Sequence, residues 1–150
     1  MKRVSQLHEH AMEQMDLALI AREKGLQSEA CRLFREAFES ESQAAGLVEG
    51  DSSFEPTRSI LHRSAATLAV DCGLLDEAAR LIIAGLQGNP PADIAQELRG
   101  LSEQVASGRE AEQAENGAFA DSRPAERPAG SEPAPALRAS SSEETSKREA

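Results

Sequence analysis

The chain has 150 residues and a formal charge of −10, and its only aromatic residues are four phenylalanines. The negative charge argues against nucleic acid and anionic membrane surfaces, since both are bound mainly by clustered Lys and Arg. No run approaches the roughly 18 apolar residues of a membrane-spanning helix. The N-terminal segment also lacks the apolar run of a signal peptide. We therefore expect a soluble, cytoplasmic protein.

Apolar residues recur at steps of three and four over the first two thirds of the chain, which is the period of α-helices. The pattern predicts five helices, over about 4–24, 28–47, 56–72, 76–86 and 90–106. Gly25 and Gly73 are placed to end two of them, because a left-handed residue is common just past a helix C-terminus. The segment 46–54 is predicted to be a loop. No segment alternates with period two, so the sequence predicts an all-α fold.

The composition changes after Ser107. Residues 108–150 contain four prolines, a serine run and scattered Glu and Arg, and their only large apolar residues are Phe119 and Leu137. Such a segment cannot bury enough apolar surface to offset the entropy of ordering it. The sequence therefore predicts a helical domain over 1–107 and a disordered Pro/Ser/Glu-rich tail over 108–150.

Two similar turns lie between predicted helices: GLQSEA at 25–30 and GLLDEA at 73–78. From the alanine that ends each turn, large apolar residues follow at +4 and +8 and a small residue at +7. The glycine allows a short chain reversal, the small residues let two helices approach, and the large ones fill the space beside them. The sequence therefore predicts two similar helical hairpins, with Ala30 and Ala78 at close helix contacts.

This pattern resembles the tetratricopeptide repeat over about 11–90, and the segment 63–91 is also similar to a group of short, mostly uncharacterised bacterial proteins. Pro90 falls on the family's closing proline in the second repeat, whereas Ser42 stands there in the first. Gly25 and Gly73 are 48 positions apart, against about 34 in the family. The second helix of the first repeat is therefore expected to be longer and to be followed by a loop. The resemblance implies two tetratricopeptide-like hairpins and a C-terminal capping helix.

The resemblance also implies a concave face lined by the first helix of each pair. The face is apolar and carries two arginines; its residues are Met12, Met15, Leu19, Arg22, Ile60, Arg63, Thr67 and Val70. Met15 and Leu19 stand where carboxylate-clamp members of the family have lysine and asparagine. Methionines adapt to irregular partners, which favours a groove for a peptide or amphipathic helix with an acidic group.

We therefore expect a non-catalytic adaptor that binds another protein. The alternative is a structural or homodimerising protein, in which the groove is filled by the chain itself or by a second subunit. Two repeats bury little surface, and stacked repeats normally need about three units for stability.

Few residues are spaced as a catalytic or metal-binding site requires. His8 and His10 lie on different helix faces, whereas a helical zinc pair uses positions i and i+4. We therefore expect His8, His10 and Glu13 to lie on a solvated polar face. Cys31 and Cys72 are expected to be structural free thiols. Without a phosphate-binding loop or a nucleophile elbow, we expect no enzymatic activity, cofactor or metal.

Arg58 and His62 are four residues apart on the third predicted helix, with Arg63 beside them. Two interpretations stay open for this group. It is either ordinary surface charge or an anchor for an acidic group on a partner.

Overall fold

In the computed structural model, five α-helices account for most of residues 1–121, the part of the chain that the structure describes; side chains are described for residues 1–118. The helices are α1 (Lys2–Glu23), α2 (Gln27–Val48), α3 (Thr57–Asp71), α4 (Leu75–Gln87) and α5 (Ala92–Asp121), and a short 3-10 turn at Ser52–Phe54 lies between α2 and α3. The described residues contain no strand. The prediction of an all-α fold is confirmed.

The repeated turn motif has a specific backbone geometry. Gly25 and Gly73 have φ angles of 76° and 72°, in the left-handed region that favours glycine. The residue after each glycine, Leu26 or Leu74, donates its N–H back to a carbonyl of the finished helix, at 2.9 and 2.8 Å. Its own carbonyl accepts the first hydrogen bond of the next helix, at 2.9 Å in both turns. One Gly-Leu pair therefore ends one helix and begins the next.

These short turns make α1 antiparallel to α2 and α3 antiparallel to α4. The two hairpins pack together through α2 and α3, and α5 packs against both α3 and α4. As expected from the spacing of the turns, α2 is longer than α4, with 22 residues against 13. The predicted loop over 46–54 is shorter than expected, because α2 continues to Val48.

Alanine dominates the helix contacts, and each of the five helices contributes to one continuous core. Its fully enclosed alanines, including Ala37, Ala65 and Ala69, lie where helices approach most closely, and Phe34 and Phe38 fill the wider gaps. Ala30 and Ala78 are 1% and 0% exposed, as their place in the repeat predicts. A smaller cluster around Val48 and Leu61 closes the other end of the first hairpin.

Arg58 and His62 are not on the surface, so both interpretations of this pair are wrong. They are 2% and 1% exposed. The guanidinium of Arg58 donates to the carbonyls of Ala84 and Gly85, at 2.9 and 3.1 Å, and pairs with Glu55 at 2.9 Å. These carbonyls lie in the last turn of α4, where a cation satisfies acceptors that lack helical partners. Arg58 therefore fastens α3 to the end of α4.

His62 has a structural role in the same region. Its Nδ1 donates to the carbonyl of Arg58 at 2.7 Å, which fixes the ring in one orientation. Burial lowers the pKa of His62 below its ordinary value. Cβ of His62 lies beside Gly85, where the absence of a side chain lets α4 approach both α3 and α5.

The fifth helix is longer than predicted. It continues to Asp121 instead of ending near 106, so residues 108–121 are helical and not disordered. Val105 is its last buried residue, which is why the apolar periodicity stops there. Beyond it, Arg109 pairs with Asp76 of α4 at 2.7 Å. The rest of the predicted tail, 122–150, lies outside the described residues.

Candidate functional site

A groove runs across one face of the helical stack between α1 and α3. It contains a cavity of about 270 Å³, lined by Met12, Met15, Arg63, Ser64, Thr67, Leu68 and Asp71. Four of these, Met12, Met15, Arg63 and Thr67, belong to the predicted concave face. Both methionines are half-buried and give the α1 wall an apolar, deformable surface.

The groove continues from α3 to α5. A second cavity of about 450 Å³ is lined by Arg63, Thr67, Glu97, Gly100, Leu101 and Gln104. Arg63 and Thr67 line both cavities, so α1, α3 and α5 form one concave surface with α3 at its centre. Sequence reasoning missed the α5 side, although the polar residues between its buried positions could have indicated it. We name this surface, made of the residues that line the two cavities, the α1–α3–α5 groove.

Arg63 is the central cation of the groove. Its Nη1 atom donates to Oε2 of Glu97 at 2.6 Å, which links α3 to α5 across the surface. Its Nε atom is buried and has no hydrogen-bond partner among the described residues. The side chain as a whole is 30% exposed. Arg63 therefore reaches a ligand through the exposed part of its guanidinium and not through Nε.

The other four predicted groove residues lie outside the two cavities. Ile60 and Val70 are partly buried and pack against the main core. The guanidinium of Arg22 stacks over the ring of Phe34, with 5.4 Å between the guanidinium carbon and the ring centroid, and so faces α2. Leu19 is 36% exposed and lines neither cavity.

A buried carboxylate lies near the α1–α3 part of the groove. Glu41 of α2 is fully buried, and both its oxygens accept from Nδ1 of His8, at 3.0 and 3.1 Å. Burial raises the pKa of Glu41, while His8, Ser64 and Arg63 oppose that shift by favouring the charged form. The expectation that His8 is simply solvated is wrong, since it links α1 to α2.

The two cysteines line a separate cavity of about 360 Å³ between the start of α2 and the end of α3. Cys31 is exposed and Cys72 is half-buried, and both are free thiols, as expected. Burial raises the pKa of the Cys72 thiol, which disfavours its reactive thiolate form. Cys72 therefore lacks the low pKa of a reactive cysteine.

Comparison with known proteins found no matching family model, no matching curated protein and no matching solved structure. Among residues 1–121, no helix has the length and apolar character needed to cross a bilayer. Within the same range, no three His, Cys, Asp or Glu side chains are grouped so that they could hold a metal ion.

Proposed function

We propose that the protein is a non-catalytic binding module of tetratricopeptide-like architecture, which holds an amphipathic helix or peptide of another protein in the α1–α3–α5 groove. The observation that carries this proposal is the continuity of the groove. Two cavities share Arg63 and Thr67 and span three helices. A surface of this kind suits an elongated ligand better than a small compact one.

The chemistry of the groove specifies the kind of segment that it accepts. Met12 and Met15 offer an apolar wall to an apolar side chain of the partner, and their flexibility tolerates several shapes. The guanidinium of Arg63, whose side chain is 30% exposed, offers donors to a carbonyl or carboxylate on the partner's polar side. An amphipathic helix presents both kinds of group on adjoining faces. The partner therefore places apolar residues toward α1 and an acidic residue toward Arg63 on α3.

The experiment is site-specific photo-crosslinking followed by a direct affinity measurement. A photoreactive residue replaces Thr67, which is exposed at the centre of the groove, and in a matched protein it replaces Ile83, which is 58% exposed on α4. Mass spectrometry identifies the captured segments. A synthetic peptide of the segment captured only from position 67 is then titrated against the full chain by fluorescence anisotropy.

Thr67→Arg places a long side chain in the groove, and we expect it to weaken peptide binding by at least about tenfold. Ile83→Arg introduces the same side chain at an exposed position elsewhere and should leave the affinity unchanged. Circular dichroism must show equal helicity and melting for both variants. Two outcomes would refute the groove as the binding site. The first is equal capture from positions 67 and 83, and the second is a peptide affinity that Thr67→Arg does not change.

A further inference from the structure

The outer face of the first hairpin carries an apolar patch that no other part of the described chain covers. Leu17, Ile20 and Leu26 are 49%, 47% and 53% exposed. With Ala21 and Leu33 they line a single cavity of about 350 Å³ between α1 and α2. Large apolar side chains grouped in this way mark interaction surfaces more often than single exposed ones do. We name the three exposed residues, Leu17, Ile20 and Leu26, the end patch; the buried residues Ala21 and Leu33 form its floor.

The end patch is separate from the α1–α3–α5 groove. Successive residues of an α-helix advance by about 100°, so the pair Leu17 and Ile20 lies on nearly the opposite side of α1 from the pair Met12 and Met15. The two surfaces share no lining residue. A partner in the groove and a partner on the end patch therefore do not compete for contacts.

The two ends of the helical stack differ in character. Stacked helical repeats normally end in a polar face, because an apolar terminal face is insoluble. At one end, α5 provides such a face: where it packs on α3 and α4, its exposed residues between 93 and 104 are all polar. The end patch at the other end is apolar instead. The outer face of the first hairpin thus resembles the face of a repeat inside a longer stack, which a neighbouring repeat would cover.

The charges around the end patch are of both signs. Lys24, Glu29 and Arg32 line the same cavity, and Arg32 pairs with Glu29 at 2.7 Å. The chain as a whole carries a charge of −10, which opposes the approach of two copies. At the end patch the local charge is close to neutral, because Lys24 and Arg32 balance Glu29 and Glu36, both of which pair with Arg32 at 2.7 Å. A mixed-sign rim also allows each cation to face an anion when the patch meets itself.

We propose that the end patch is the interface of a symmetric homodimer, in which the first hairpins of two copies pack against each other. Among the residues that the structure describes, the exposed face of α5 offers no large apolar complement for head-to-tail stacking, so the stack does not extend into a filament. Pairing of two identical patches is isologous and closes after two copies. Each copy then supplies the missing neighbour of the other's first hairpin, and both grooves remain open.

The test is sedimentation velocity of the full chain over a series of micromolar concentrations. We expect a monomer–dimer equilibrium whose dissociation constant rises at least about tenfold in Ile20→Glu and, separately, in Leu26→Glu, because each places a charge on a surface that must lose its water. Ile83→Glu is the matched control, since Ile83 is more exposed than either residue and lies outside the patch. It should dimerise like the unaltered chain.

Two further measurements locate the interface. A photoreactive residue at position 17 should yield a covalent dimer, and the same residue at position 83 should not. Thr67→Arg, which obstructs the groove, should leave the dimer unchanged. A chain that stays monomeric throughout would overturn the proposal, as would a dimer that survives both end-patch variants or is lost in Thr67→Arg. The first two outcomes leave peptide binding in the groove untouched, whereas loss of the dimer in Thr67→Arg would place the second copy in the groove. The anisotropy titration of the groove peptide then tests the proposed function separately from the dimer.

Discussion

Nη1 of Arg63 on α3 lies 2.6 Å from Oε2 of Glu97 on α5, at the point where the two cavities of the α1–α3–α5 groove meet. The pair is partly solvated, with side-chain exposures of 30% and 49%. Ion pairs of this kind contribute at most about 1 kcal/mol to folding. The Arg63–Glu97 pair therefore affects binding more than folding, because Glu97 competes with any acidic group that approaches Arg63.

We expect Glu97→Gln to strengthen binding of an acidic peptide in the groove, since it removes that competition. Arg63→Gln should weaken binding, and the loss should shrink at higher salt because a partly exposed charge is screened. Fluorescence anisotropy at low and high salt measures both effects. If Arg63→Gln binds as tightly as the unaltered chain at low salt, Arg63 does not contact the peptide.

Gly85 lies at the junction of three helices and should not tolerate a side chain. A Cβ there would lie 3.0 Å from Cδ1 of Leu98 and 3.1 Å from Cβ of His62. We expect Gly85→Ala to lower the free energy of unfolding by about 1–2 kcal/mol, since overpacking outweighs the gain in helix propensity. Gly46→Ala, where nothing lies within 4 Å, should be stabilising. Urea denaturation compares the two, and equal effects would contradict the close approach.

Arg58 should be far more important for stability than an arginine in an exposed pair. Arg58→Ala leaves the carbonyls of Ala84 and Gly85 without their buried donor, and we expect a loss of at least about 2 kcal/mol. Arg80→Ala breaks only an exposed ion pair with Glu77 and should change little. Thermal denaturation of both variants is the measurement. Similar melting temperatures would show that Arg58 does not fasten α4.

Glu41 makes the stability depend on pH. Burial raises the pKa of its carboxyl above the ordinary value of 4.5, against the opposing effects of His8, Ser64 and Arg63. Between the unfolded and folded pKa values the folded protein binds more protons, so this group's contribution to stability is lost as pH rises through that window. Glu41→Gln removes the titration. Its melting temperature should therefore rise relative to the unaltered chain between pH 4.5 and neutrality.

The exposed residue Glu39 on the same helix provides the control for that comparison. Glu39→Gln should give a melting curve against pH that runs parallel to that of the unaltered chain. A parallel curve for Glu41→Gln as well would mean that the buried carboxyl does not titrate differently on folding.

The stable core should end shortly after the pair of Arg109 with Asp76. The last buried residue is Val105, and at Gly108 a Cβ would lie 3.0 Å from Cδ1 of Leu75, so α5 still approaches α4 there. A chain ending at 109 should melt at the same temperature as the full chain. A chain ending at 97 loses three core residues of α5 and should not fold. Marked destabilisation of the longer fragment would place essential contacts beyond 109.

The turns could be predicted from the sequence because their cause is local. Gly25 and Gly73 adopt positive φ angles that other residues avoid, and the following leucine and alanine complete the same hydrogen-bond pattern in both turns. The length of α5 could not be predicted in the same way. Apolar periodicity marks only the buried part of a helix. Beyond Val105, α5 continues through Ala, Glu, Gln and Arg, which favour the helical conformation without being buried.

The candidate site was only partly predictable, since side-chain environment depends on tertiary packing. Met12 and Met15 could be placed on the groove from helical spacing and the repeat. Arg58 and His62 are residue types that usually lie on the surface. The α4 carbonyls accept from Arg58, and the carbonyl of Arg58 accepts from His62, so tertiary packing makes both of them core residues. The end patch was missed because α1 is apolar on more than one side, and periodicity does not say which side is covered.

The exposed part of α5 gives the domain a lever. Beyond Arg109 the helix extends to Asp121, a length of about 18 Å at 1.5 Å per residue. A rotation of about 10° at its base would therefore displace its tip by about 3 Å. The base of this lever is the contact of α5 with the start of α4 near Leu75 and Asp76. Small changes in how α4 and α5 pack are thus converted into a measurable change of position where residue 122 begins.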